Sequence, residues 1–477
     1  MEKIDSKSKW SYTIGATGRD MAYALVSMYL MTYIQYTMSL TVAQFVAISA
    51  IMVICLVWDA INDPLMGIII ENCNFKFGKY KPWIFAGSIL NALVIIGIFS
   101  IRPQGWAFVA FFGISYLLWG MTYTMNDIAY WGMLPSLTSD AKERNTLVTL
   151  MSIFICIGQF TVAGVVPVII AGNAVNTYRI VALCVGICFI LFQMLTTFGV
   201  TERKHETENK DRLSLKDMFK IFIRNDQLIP AGVASLFFNI GSGLLIMFGM
   251  NFFYFEFGYS TGGNLVFIFT VMYGLGTLLS QAIFSLISQK FSRQKLLTFF
   301  TILCIVCYGL FFSIGYVLPK SPILINLLGF LIFFGQGLFN LVLLVMLNNT
   351  IEYDEWKFHE RHDSIISTVR SFSAKLSGAI NQGIVNIVLI ISGIYAISQE
   401  ISKLEVEAGS GSITAEEILV QADAFINTAT QNQLLILRLG ITLIPIAALL
   451  IAWLLLKKKY TIDEKRYEEI CSEINKQ

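Results

Sequence analysis

The sequence predicts an all-α membrane protein of twelve transmembrane helices in two halves of six. Three observations carry this. The 477 residues are 56% hydrophobic and only 14% charged, whereas a soluble domain carries about 25% charged residues. Apolar runs of about 20 residues, the length that crosses a bilayer as a helix, recur along the whole chain. Lysine and arginine are concentrated in alternate connecting segments, as they are when successive loops lie on opposite sides of a membrane.

Segmentation on the apolar runs places spans at roughly 11–36, 41–70, 82–101, 107–133, 147–171, 178–199, 230–256, 263–289, 296–317, 322–348, 365–398 and 431–456. With the N-terminus inside, the inner segments hold Lys3, Lys7 and Lys9, then Lys76, Lys79 and Lys81, then Lys142 and Arg144. Seven cationic residues follow between Arg203 and Arg224, then Lys290, Arg293 and Lys295, Lys357 and Arg361, and Lys457, Lys458 and Lys459. The outer loops hold only Arg102, Arg179, Lys320 and Lys403. This asymmetry puts both termini in the cytoplasm of a cell (plasma) membrane protein. The polar first ten residues and a first span without a small-residue cleavage site argue against a cleaved signal peptide.

The polar stretch 201–229 divides the chain into a six-helix bundle at 1–200 and another at 230–456, followed by a cytoplasmic tail at 457–477. Ser214 and Asp217 have capping-box spacing before an amphipathic stretch, which predicts a short surface helix. The basic run Phe75–Lys81 after span two is echoed by Ser288–Lys295 after span eight. A parallel 6+6 repeat of this kind fits the major facilitator architecture, whose cargo site lies near the midplane at the repeat interface. The loop 399–430 is long, and Thr414-x-x-Glu417 opens a short helix on the outer surface.

Eight cysteines are scattered. Cys304 and Cys307 form a C-x-x-C inside an apolar run, which reads as helix packing because a redox pair belongs on a partly exposed turn. His205, His359 and His362 all fall in cytoplasmic segments, so no histidine serves as a proton relay in the membrane. No nucleophile–base pair, H-E-x-x-H or phosphate loop is present, and the chain does not read as an enzyme.

Charge inside the membrane is costly and marks function. Asp59 and Asp63 lie one helical turn apart, on one face of span two, after a charge-free run. An ionised carboxylate near mid-membrane costs about 2.5–3.5 kcal/mol on insertion scales. A buried cation is a reason to keep the pair, and Asn62 and, on span four, Thr124 add the oxygen ligands that a hard cation prefers. The other intramembrane charges are Asp20, Asp127, Arg370, Lys375 and Arg438. In Trp119–Trp131, Asp127 and Trp131 are four apart, with Tyr123 a turn earlier. A carboxylate beside an aromatic plate suits a sugar, whose edges are polar and whose faces are apolar.

Gly18–Ala22, Trp58–Pro64, Gly78–Trp83, Trp119–Thr124 and Asp127–Trp131, with Arg144, Glu352–Lys357 and Lys375, resemble the glycoside-pentoside-hexuronide:cation symporter family, its melibiose permease-like members above all. The resemblance spans essentially the whole chain. It implies a cation site at Asp59, Asn62, Asp63 and Thr124, with Asp59 and Asp63 as the ion's carboxylate ligands. It implies sugar contacts at Asp20, Tyr123, Asp127 and Trp131, joined by Arg19, Arg370, Ser371 and Lys375. Lys79, Lys81 and Arg144 stand at the inner gate. The chain departs from the pattern where Ser152 replaces an arginine of span five, Arg370 a glutamine of span eleven, and Asn349 and Glu352 two aspartates near span ten. The resemblance thus implies an intact cation site and a rewritten sugar pocket.

The expectation is a secondary active symporter that couples inward sodium movement to uptake of a glycoside by alternating access. A proton-coupled sugar or hexuronide symporter and a sodium-dependent lysolipid carrier are the alternatives, and lithium or a proton is the alternative ion. No cofactor and no nucleic-acid partner are expected, and a monomer in the lipid bilayer is the expected working unit.

Overall fold

Eleven helices among the described residues are long and apolar enough to cross a membrane. A twelfth long helix, α1 (Ser6–Thr37), falls short of that hydropathy. It carries Arg19, Asp20, Gln35 and several threonines, and 22 of its residues are buried by protein rather than offered to lipid. A computed structural model describes residues 4–73, 75–138, 140–202, 220, 222–359 and 363–474. The helix expected at Ser214–Asp217, together with His205 and His362, lies outside the described residues.

The described residues fall into two compact units. The first lies within Met1–Glu208, Phe253–Phe267 and Gly393–Ala429. It holds α1, α2 (Val42–Asn72), α3 (Lys81–Ser100), α4 (Trp106–Leu137), α5 (Ala141–Ile169) and α6 (Ala174–Gly199). It also holds most of α8 (Gly249–Phe257), the start of α9 (Tyr259–Ser288), α13 (Ile394–Gly409) and α14 (Ala415–Ile426). α1 packs against α5 and α6, α3 against α4 and α6, and α2 against α4.

Small residues let these backbones approach, because helices in lipid associate through close packing rather than hydrophobic drive. A β-carbon added at Gly158 of α5 would collide with the Thr17 carbonyl of α1, and one at Gly18 would meet the Cys188 carbonyl of α6 at 2.8 Å. Buried amides then bridge helices. Gln193 Nε2 donates to the Gly15 carbonyl at 2.7 Å, Asn126 Nδ2 to the Ile84 carbonyl at 2.9 Å, and Asn91 Nδ2 to the Trp119 carbonyl at 2.9 Å. The hydroxyl of Tyr12 donates to the Tyr130 carbonyl at 2.8 Å, and that of Tyr130 returns the bond to the Tyr12 carbonyl.

The basic loop between α2 and α3 is folded on a carboxylate. Glu202, just past α6, accepts from the backbone N–H groups of Lys79 at 2.7 Å and Lys81 at 2.9 Å. Gly78 makes room for it at φ 120°.

The second unit lies within Asn209–Phe252, Ile268–Ser392 and Thr430–Gln477. It holds α7 (Leu228–Met247), the rest of α9, α10 (Arg293–Ser313), α11 (Pro322–Phe358), α12 (Asp363–Ile391), α15 (Gln431–Lys459) and α16 (Glu464–Ile474). α7 packs against α15 and α12, and α10 against α11 and α15. Arg438 has a structural partner here: its guanidinium donates to the Phe312 and Ile314 carbonyls at the C-terminal end of α10 and lies 4.7 Å from the centre of the Tyr316 ring. Cys304 is buried and its Sγ faces the Ile332 carbonyl at 3.7 Å, as helix packing requires.

Two boundaries differ from expectation. Span ten does not stop at 348. It continues as α11 to Phe358 because its polar end finds partners, with Asp354 on Arg224 at 3.5 Å and Lys357 on Asp226 at 2.6 Å. Span eleven does not run to 398. Gly393, at φ 76°, turns the chain, and the loop beyond holds two helices, α13 and α14, instead of one. The Thr414–Glu417 capping box does open α14.

Candidate functional site

Two groups of polar side chains stand on the helices of the first unit. The first is built on α2 and α4. Asp59 and Asp63 are four residues apart on α2, and Gly120 and Thr124 are four apart on α4, so the facing turns align as two rungs. On one rung, Thr124 Oγ1 donates to Asp63 Oδ1 at 3.0 Å. On the other, a β-carbon at Gly120 would lie 2.8 Å from Asp59 Oδ1, so glycine leaves the space that this carboxylate needs. Asn62 is buried, and its Nδ2 has no hydrogen-bond partner. Two carboxylates, an amide and a hydroxyl offer only oxygen donors to an ion, the set suited to a hard cation.

The second group joins α1 to α4 and α5. Arg19 is 2% exposed. Its Nη2 and Nε bind Asp20 Oδ2 at 2.7 and 3.0 Å, and its Nη1 lies 3.0 Å from Asp127 Oδ1. The guanidinium carbon stands 4.8 Å from the centre of the Tyr130 ring and 5.5 Å from that of Trp131. Two carboxylates, one guanidinium and two rings thus form a single cluster. Asp20 is enclosed, whereas the Asp127 side chain is 34% exposed and Trp131 is 40% exposed. The open edge of the cluster is a carboxylate beside an indole. Nearby, Tyr116, Trp119 and Tyr123 stack along α4 with centroids 5.3 and 5.8 Å apart, and Tyr23 of α1 tilts against Tyr123 at 5.4 Å.

Sequence reasoning missed Gln159. Its Nε2 donates to Asp20 Oδ1 at 3.0 Å, so Asp20 is held from two sides. A lone amide in the apolar run of span five was the available signal. Ser152 is exposed and turns back onto its own helix, donating to the Val148 carbonyl at 2.8 Å. The cation that holds Asp20 and Asp127 is therefore supplied by α1. Arg370, Ser371 and Lys375 lie on α12 of the second unit, the first two exposed and Lys375 half-buried. Lys79 and Lys81 offer main-chain N–H groups to Glu202, and Arg144 Nη2 donates to the Thr138 carbonyl at 3.3 Å.

Removing one member of a buried ion pair strands its partners and costs about 3–5 kcal/mol, whereas removing the whole set is often neutral. Arg19→Met should therefore lower the thermal midpoint in detergent sharply, and the triple variant Arg19→Met/Asp20→Asn/Asp127→Asn should recover most of the loss. A triple variant as unstable as the single one would show that Arg19 acts through packing and not through charge.

Residues 11–464 match the family described as MFS/sugar transport protein. The lactose permease of Lactobacillus delbrueckii subsp. bulgaricus is 26% identical over 98% of this chain and 72% of its own. The raffinose carrier protein of Pediococcus pentosaceus is 25% identical over 98% and 71%. Among solved structures, a bacterial homolog of the human lysosomal transporter Spinster superposes with TM-score 0.66 at 13% identity, over 95% of this chain and 97% of its own. The fold is that of major facilitator transporters, and the chain is a multi-pass membrane transporter rather than an enzyme. With the family matched over nearly its whole length, the chain belongs to the MFS/sugar transport proteins, the glycoside-pentoside-hexuronide family of the major facilitator superfamily.

Proposed function

We propose that the chain is a sodium-coupled symporter that takes up a glycoside or related sugar by alternating access, with both termini cytoplasmic. One observation carries the reading: Asp59, Asn62, Asp63 and Thr124 bring the oxygen ligands of a hard cation together on α2 and α4, beside a separate carboxylate–guanidinium–aromatic group. Asp20 and Asp127 share a protein cation, Arg19. Asp59 and Asp63 sit among oxygen donors and small residues, the setting for a mobile cation. Relatives named for lactose and raffinose favour a sugar as cargo.

In this scheme sodium binds at Asp59 and Asp63, with Asn62 and Thr124 supplying further oxygens, and screens the repulsion of the two carboxylates. The sugar binds at the open edge of the second group. Asp127 accepts its hydroxyls, Trp131 and Tyr123 cover its apolar face, and Arg19 and Asp20 fix the geometry. Lys79, Lys81 and Arg144 act at the inner gate. Coupling follows because a bound cation screens the repulsion between two like charges one turn apart. One sodium ion moving down 100 mV releases about 2.3 kcal/mol, enough for roughly fiftyfold accumulation before any sodium gradient is added.

Asp59→Cys and Asp63→Cys should each abolish sodium-stimulated uptake in vesicles supplied with labelled lactose, raffinose, melibiose and glucuronate in turn. Sodium stimulation that survives in both variants would refute the ion assignment. Asp127→Cys and Trp131→Ala should weaken sugar binding at least about tenfold, the scale of a lost charge-assisted hydrogen bond, with sodium affinity kept. Equal loss of both ligands would mean that the two groups are one site.

A further inference from the structure

Glu405 is a carboxylate that neither group uses. It lies on α13 and is 0% exposed. Its Oε1 accepts from the Gly172 N–H at 2.9 Å and from the Tyr259 hydroxyl at 2.8 Å, and its Oε2 from the Ala174 N–H at 2.6 Å. Three donors from two other segments, the α5–α6 turn and the start of α9, thus converge on one side chain. Burial pushes the carboxyl upward, and the bonds from Ala174, Tyr259 and Gly172 draw it back down.

The surrounding seam mixes buried apolar side chains, Ile401, Ile418 and Ala422 among them, with further polar contacts. Gln399 Oε1 accepts from the Leu40 N–H at 2.8 Å, and its Nε2 donates to the Gln35 carbonyl at 3.0 Å. Tyr395 donates to the Leu40 carbonyl at 3.0 Å, and Asp423 of α14 accepts from the Ser260 hydroxyl at 2.6 Å. The hydroxyls of Tyr178 and Tyr254 and that of Ser402 are buried with no partner.

The buried carboxylate is not needed for permanence, because replacing buried charge by well-packed hydrocarbon is often neutral or stabilising. This seam keeps groups that water satisfies equally well once the helices part. By the orientation that the basic segments indicate, every segment in it lies at the outer end of its helix.

We infer that Glu405 is the latch of the outer gate: it docks α13 on the α5–α6 turn and on α9 when the outer path is shut, and its release is a step of the transport cycle. Glu405 touches no cargo-binding residue and acts as a positioning residue. Only the kinetic arm of the test rests on the sugar reading.

The reporter is Ser402→Cys, one turn before Glu405, in a chain whose eight native cysteines are replaced by serine or alanine. Labelling by a membrane-impermeant maleimide is followed in right-side-out vesicles, normalised to folded protein by size-exclusion chromatography. Glu405→Gln should raise the labelling rate on the order of tenfold, as loss of one charge-assisted hydrogen bond predicts. Tyr259→Phe should raise it less, and Glu405→Asp should recover part of the slow rate. For lactose supplied outside, Glu405→Gln should lower both KM and Vmax, since the outward-open form gains population. If Glu405→Gln does not fold, Tyr259→Phe carries the test alone. Labelling unchanged in every folded variant overturns the latch. Faster labelling without lactose transport leaves the latch standing and counts against the sugar assignment.

Discussion

A carboxylate in a poorly solvated place must be neutralised, and several acids of the first unit of this protein meet that demand in different ways. Asp20 and Asp127 do so through Arg19, whose guanidinium reaches both and lies over two aromatic rings. Glu202 and Glu405 do so through backbone N–H groups, at the α2–α3 loop and at the α5–α6 turn. Asp63 takes a hydroxyl from Thr124, and Asp59 occupies space that only a glycine leaves open. The solutions differ in permanence. A buried guanidinium stays in place, N–H groups are exchanged for water when helices separate, and in the proposed scheme a small ion comes and goes at Asp59 and Asp63. Under the proposed function that gradation assigns the acids to architecture, gate and coupling.

The helix packing serves the same demand. α1 is too polar to be at home in lipid, and its position against α5 and α6 gives Arg19 and Asp20 protein partners on all sides. The glycines at 18 and 158 bring those helices close enough for Gln159 to reach Asp20. Loss of close approach at either glycine would act on the charge cluster as well as on the core.

Much of this was legible in the sequence because it rests on one-dimensional signals. Apolar run length gives the spans, and i,i+4 spacing places Asp59 with Asp63 and Asp127 with Trp131. The Thr414–Glu417 pair marks the start of α14. Which helices face one another is not a one-dimensional signal. Gln159, Glu202 and Glu405 each act on a residue more than a hundred positions away, so their roles emerge only from packing. Arg438 read as an intramembrane charge of functional interest, yet it caps carbonyls at the C-terminal end of α10. The extension of α11 to Phe358 likewise depends on Arg224 and Asp226, which precede α7. Apolar periodicity stops before such polar helix ends do.

Coupling between ion and cargo is a free energy shared by two sites, so it must be reciprocal. The most direct measurement is equilibrium binding of a transported sugar to the purified protein across a sodium series at fixed pH, paired with sodium binding across a sugar series. The account predicts that sodium raises sugar affinity and that sugar raises sodium affinity by the same factor, with both effects lost in Asp63→Cys. Sugar affinity indifferent to sodium, in a protein that folds and binds sugar, would contradict it.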